Sequence, residues 1–220
     1  ESTIIDGDAN GSVFHLWTPN ANNYYSYSFS NLTITNGLAN GGAGINLARA
    51  SLYLNNVHIL DNKFPEDEAT AGAGIQKQYS GSSQNQVVSI VNCLISGNGG
   101  NPAQGGDGGG IFIMSAVTID IDGCSFVGNE AWSKGSAIVL GGGESTITNT
   151  VFDSNIGASL IWAGDITMED VIFQNNNSGA SEMIHVGGGK FKNVALVNNI
   201  VGEGTTGAAL YFSTWADDGS

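Results

Sequence analysis

Apolar and polar residues alternate in short bursts along this chain, and the bursts share an outline. The segments "VNCLISGN" (91–98), "DGCSFVGN" (122–129), "TNTVFDSN" (148–155) and "EDVIFQNN" (169–176) each place a large apolar residue three positions before an Asn. Taken as eleven columns ending in that Asn, the windows 52–62, 88–98, 119–129, 145–155, 166–176 and 189–199 superpose without gaps. The last column reads Asn62, Asn98, Asn129, Asn155, Asn176 and Asn199. Column eight is Ile59, Ile95, Phe126, Phe152, Phe173 and Leu196, and column three is Leu54, Ile90, Ile121, Ile147, Met168 and Phe191. Column five is Asn56, Asn92, Gly123, Asn149, Asp170 and Asn193. A further copy at 28–37 fits at Phe29, Asn31 and Ile34 but ends in Gly37.

A Gly-rich gap and a second apolar run follow each phrase, among them "GGAGINL" (41–47), "GGGIFIM" (108–114), "ASLIW" (158–162) and "GAALYF" (207–212). These runs have strand length and are rich in strand-favouring Ile, Val and Phe. The recurring Asn steps by 36, 31, 26, 21 and 23 residues, so the shortest steps give the bare repeat and the longer ones carry insertions at turns. Two or three short strands per repeat predict an all-β, right-handed parallel β-helix of about seven to eight coils, occupying 1–220 as one domain. In such a solenoid each coil lies ~4.8 Å above the last. Inward columns must then be apolar, because they form one core that no single coil could bury. Turn columns need Asn, Asp or Gly, which tolerate left-handed backbone and whose amides reach the next coil.

"FVGN", "FDSN" and "FQNN" resemble the FxxN half of the repeat in chlamydial polymorphic outer-membrane proteins, and "GGAGI" (41–45) resembles the GGA-I half. "TIIDGDANGSVFHL" (3–16) with "LTITNG" (32–37) is similar to the pectate-lyase-like repeats of secreted and surface proteins. The resemblance implies a β-helix shared by adhesins, autotransporter passengers and some polysaccharide-active enzymes. It specifies fold far more than activity.

Charge narrows the choice. Acidic residues outnumber basic ones 20 to 6, a formal charge of −14, which repels phosphate backbones and anionic membranes and speaks against nucleic acid as a partner. No apolar run reaches the roughly 18 residues of a membrane-spanning helix. The chain opens at Glu1 without a leader and is expected to be a processed or excised part of a larger extracellular or cell-surface protein.

Several groups are candidates for chemistry. In "DGDANG", Asp6, Asp8 and Asn10 before Gly11 repeat the first half of a calcium loop, with Trp17 where a bidentate Glu would stand; the alternative is an Asx-rich capping turn. The insertions "KFPEDEATA" (63–71), "GGNPAQGGDG" (99–108) and "EAWSKG" (130–135) all follow the Asn column, so they emerge from one edge on neighbouring coils. There Glu66, Asp67, Glu68, Asp107 and Trp132 would form an acidic, aromatic-rimmed patch for a sugar, a cation or a protein, with ordinary solvated loops as the alternative. Cys93 and Cys124 share column six on consecutive coils, within reach of a disulfide or stacked as buried thiols. Of the glycosylation triplets, Asn10 and Asn176 are the ones expected to be accessible, and Asn31 to be tied up in the turn ladder.

The β-helix lyases and hydrolases supply the enzymatic comparison. The only basic side chains are Arg49, Lys63, Lys77, Lys134, Lys190 and Lys192, of which Lys190 and Lys192 end a polar strip with Asp120/Asp122, Thr146/Thr148 and Thr167/Glu169. Pectin-hydrolase-like helices carry an Asp pair, Gly-His-Gly and Arg-x-Lys; here "ADD" lies at 216–218 and the other two are absent. His58 and His185 flank apolar residues and read as structural, and the Thr pairs of an ice-binding face do not persist. The expectation is therefore a non-enzymatic, adhesin-like stalk or filament-forming solenoid. Its partners would be further coils or copies end to end, or a carbohydrate or surface protein, with no cofactor beyond a calcium ion. The alternative is a polysaccharide lyase or glycoside hydrolase working along the Lys190/Lys192 face.

Overall fold

The computed structural model describes residues 3–17, 25–65, 70–77, 86–100, 106–115, 117–179, 182–202 and 209–213. Its strand register turns sequence columns into physical files. Column eight runs Ile5, Ile34, Ile59, Ile95, Phe126, Phe152, Phe173, Leu196, each paired in parallel with the next, which makes eight levels. Column three runs Phe29, Leu54, Ile90, Ile121, Ile147, Met168, Phe191. The second apolar runs build a third face, in which Phe14, Ile45, Ile75, Ile111, Ile138, Ile161, Ile184 and Leu210 lie in register. The chain is thus all-β, a parallel β-helix with three strand faces in one 17-stranded sheet, and no helix occurs among the described residues.

The three faces bury a common core. From Ile34 to Phe173 the column-eight file has no solvent exposure. Its phenyl rings stack with centroids 4.9 Å (Phe126–Phe152) and 4.8 Å (Phe152–Phe173) apart, nearly parallel at 14° and 7°. That spacing is the coil repeat itself, so the backbone pitch sets the ring contact.

The turn columns divide their labour. Column five (Asn31, Asn56, Asn92, Gly123, Asn149, Asp170, Asn193) is left-handed at every level, with φ between 49° and 63°. Column ten (Asn36, Asp61, Gly97, Gly128, Ser154, Asn175, Asn198) is left-handed too, between 52° and 64°. Column eleven is not; its asparagines turn inward. Asn62, Asn98, Asn129, Asn155 and Asn176 are fully buried. Each donates Nδ2 to the next Asn Oδ1 at 2.9–3.1 Å. Each backbone N–H donates to that same oxygen. From Asn98 to Asn199, Nδ2 also reaches the column-eight carbonyl one level down, at 2.8–2.9 Å.

The ladder explains two sequence details. A Cβ on Gly37 would lie 1.9 Å from the Ala43 carbonyl oxygen, so the first rung cannot carry an Asn side chain; Gly37 N–H donates to Asn62 Oδ1 instead. A Cβ on Gly44 or Gly74 would meet a backbone oxygen at 2.5 Å and press on the Asn62 or Asn98 amide carbon at 3.1–3.3 Å. The glycine of one half-repeat makes room for the asparagine of the other.

One interior residue breaks the apolar rule. Lys77 stands in the file Leu47, Lys77, Ile113, Leu140 and is fully buried. Its Nζ donates to the Ala50 carbonyl at 3.0 Å and to Gln86 Oε1 at 2.7 Å, and burial pushes its pKa down to about 8.

Candidate functional site

The sequence candidates separate clearly once placed. In "DGDANG", Asp6 Oδ1 accepts the Asp8 N–H at 2.9 Å and Oδ2 accepts the Asn36 amide at 3.1 Å, while Asn10 N–H donates to the Gly7 carbonyl at 3.0 Å. Asp8 and Ala9 are left-handed. This is an Asx turn that spends the Asp6 carboxylate on its own loop and on the coil above. Asp6, Asp8, Asp61 and Lys63 share a shallow cavity of about 260 Å³ with Asn36 and Leu38. Among the described residues no three His, Cys, Asp or Glu side chains converge as a metal site.

The insertions do leave from one edge. Leu38, Lys63, Gly99, Glu130, Ile156, Asn177 and Ile200 bridge in parallel, level by level. Asp107 bridges Lys134 and Ser133 N–H donates to the Gly106 carbonyl, so the Trp132 turn lies beside the Asp107 strand. Trp132 is exposed. Glu66, Asp67 and Glu68 lie outside the described residues.

Cys93 and Cys124 are two unbonded, buried thiols. Column six is a ladder of its own: Val57 N–H donates to Cys93 Sγ, Cys93 N–H to Cys124 Sγ and Cys124 N–H to Thr150 Oγ1, at 3.3–3.4 Å. The hydrogen bond to Cys93, together with burial, pushes the Cys124 thiol far up. Asn176 requires a correction. It is a fully buried rung of the asparagine ladder, with Nδ2 committed to the Phe152 carbonyl and to Asn199 Oδ1, so no accessible nitrogen remains for a glycan. The amide ladder that marks the column is also what removes it from solvent. Asn10 is exposed.

The polar strip is ordered as its columns require, with Lys190 over Thr167 and Lys192 over Glu169. Lys192 pairs with the Glu169 carboxylate, and this partner raises its pKa. Lys190 lines a groove of about 380 Å³ with Glu144, Asp165, Thr146 and Thr167. Lower on the same face, Thr148 and Asn149 hold the Asp122 carboxyl below the usual range by hydrogen bonds at 2.7 and 2.8 Å.

The constellation that column reading missed is on the third face. Its outward file ends in Val139, Trp162, His185 and Tyr211. The rings of Trp162 and His185 stack at 5.9 Å, the Tyr211 ring lies 5.0 Å from His185 and tilted by 46°, and the Lys134 ammonium lies 4.5 Å from the Trp162 ring centre. His185 Nδ1 is 2.5 Å from Glu182 Oε1, and its Nε2 is 2.8 Å from Ser213 Oγ. Aligning "EMIHV" on "GAALYF" would have set Tyr211 over His185 and Ser213 just beyond it, but the second runs are short and weakly patterned. Comparison of the chain with protein-family models, with curated proteins and with solved structures finds no match.

Proposed function

We propose that this chain is an extracellular or cell-surface β-solenoid acting as an adhesin-like stalk or filament element, whose principal work is to hold a rigid rod and present its faces. The supporting observation is the last full coil. The strand Ile184–Val197 pairs along its length with the coil below, but on its other side only Ile184–Val186 is paired among the described residues. Phe191, Val194 and Leu196 there line an apolar depression of about 420 Å³ with Ile184 and Leu210, and Leu196, Val197 and Ile200 are exposed. Among the described residues this strand edge is unpaired and the apolar side chains beside it are exposed, an arrangement that favours a second copy stacked in register. Electron microscopy of the isolated chain should show rods that lengthen with concentration, and Leu196→Asp should stop the lengthening. Monodisperse short particles at every concentration would overturn the filament form of this reading.

A second reading rests on the groove that gathers Glu144, Asp165 and Lys190. Two carboxylates and an amine on one strand face suit acid–base cleavage of a glycan. Release of reducing sugar or unsaturated uronate from a glycan panel, lost in Lys190→Ala, would establish it over the stalk.

A further inference from the structure

We infer that Ser213, His185 and Glu182 form a nucleophilic relay that cleaves carboxylic esters, a function beyond the scaffold reading and independent of it. The geometry is that of an activated serine. A carboxylate oxygen 2.5 Å from Nδ1 fixes the tautomer that carries its proton there, which leaves the Nε2 lone pair facing Ser213 Oγ at 2.8 Å. The three residues come from two successive coils, and backbone pairing holds His185 and Ser213 in place. Tyr211 pairs in register with His185, and Ser213 N–H donates to the Val186 carbonyl at 3.0 Å. The imidazole is further clamped between the Trp162 and Tyr211 rings. His185 and Glu182 are 17% and 16% exposed, sheltered enough to keep their orientation yet open to a substrate from the side.

The chemistry balances with water as the only co-reactant. Ser213 Oγ attacks the ester carbonyl carbon while its proton passes to His185 Nε2. The carbon–oxygen bond to the alcohol then breaks, and the alkoxide takes the proton back from Nε2. Water attacks the acyl-serine, His185 again receives and returns the proton, and a carboxylic acid leaves with Ser213 restored. His185 and Ser213 are the catalytic residues; Glu182 is a positioning residue that acts through the ring.

The test uses the whole chain with a fluorophosphonate probe and with 4-nitrophenyl acetate. Mass spectrometry should map one phosphonyl adduct to Ser213, and nitrophenolate release should fall on the order of 10³-fold in Ser213→Ala and in His185→Gln. Glu182→Gln should lower kcat while KM and the melting temperature stay unchanged, which a merely structural hydrogen bond would not do. Each variant is checked by circular dichroism; should Ser213→Ala misfold, adduct mapping on the unaltered chain still decides. A folded chain that takes no label at Ser213, or releases nitrophenolate equally with Ser213→Ala, overturns the relay. Rod formation is unaffected in either case.

Discussion

The asparagines of column eleven and those of column five repeat level by level around the same turns, yet they stand in opposite surroundings. Column eleven is buried and its backbone is not left-handed; each amide satisfies a backbone carbonyl and the next amide. Column five is exposed, its residues are held at positive φ, and its side chains bond only along the surface, as Asn56 Nδ2 does to Asn31 Oδ1 at 2.8 Å. The first column is chosen for its amide and the second for its backbone. Column five accordingly admits Gly123 and Asp170, while column eleven keeps Asn at every level from Asn62 to Asn199.

The largest effect should come from breaking the buried ladder. Asn129→Ala removes partners from the Ile95 carbonyl, Asn155 Oδ1, and the backbone and side-chain amides of Asn98, all of them buried. Asn155 Oδ1 keeps the residue-129 N–H and Asn98 Nδ2 keeps the Ile59 carbonyl, so at ~1–3 kcal/mol for each buried group that loses its partner a loss of roughly 2–4 kcal/mol is expected in urea unfolding. Asn199→Ala, at the half-buried last rung, should cost about half as much. Equal losses at the two positions would show that burial does not set the ladder's value.

Lys77 offers a second, pH-dependent contrast between interior and surface. Its folded-state pKa of about 8 lies below the ordinary 10.5, so the folded chain sheds this proton first. Stability is therefore lowest below about pH 8, where both states are charged, and rises as pH climbs from there toward 10.5. The full rise is about 3 kcal/mol. Urea midpoints at pH 7.5 and pH 10 should show it, and Lys77→Met should abolish that rise. A buried amine whose two hydrogen bonds offset its desolvation would give a flat profile in the unaltered chain.

On the exposed column the expected effects are small and depend on backbone. Asn56→Ala must hold a left-handed φ of 53° and should cost about 1 kcal/mol, whereas Asn56→Gly should leave the midpoint unchanged. A penalty for glycine equal to that for alanine would mean that the surface amide, and not the φ, is what column five selects.

Much of this architecture was legible because stacking makes sequence columns into spatial files. Phe126, Phe152 and Phe173 were aligned by count alone and lie ring over ring. The shared loop edge followed from the same count. What escaped is what a column cannot encode. Asn176 and Asn56 look alike as letters, and only the inward turn of column eleven tells a buried amide from an exposed one. Column ten was missed because it accepts Asp61, Gly97, Ser154 and Asn175 alike, with positive φ as their common property. Lys77 sits in an interior file whose neighbours predict an aliphatic residue. Ser213 reaches His185 only because two coils, 28 residues apart in sequence, stack in register.

The smallest expected effect is also the one that bears on function. Lys192 and Glu169 form an ion pair on the solvent face, where water screens the attraction and holding two long side chains in one geometry opposes it. Lys192→Ala should leave the melting temperature unchanged within error in low salt. Because the fold does not depend on this lysine, any loss of glycan cleavage or surface binding in the variant can be assigned to the strip itself and not to unfolding. A clear drop in melting temperature would place the Lys192–Glu169 pair among the contacts that hold the last coil. The polar strip would then belong with the buried ladder as a structural element and not with the exposed column.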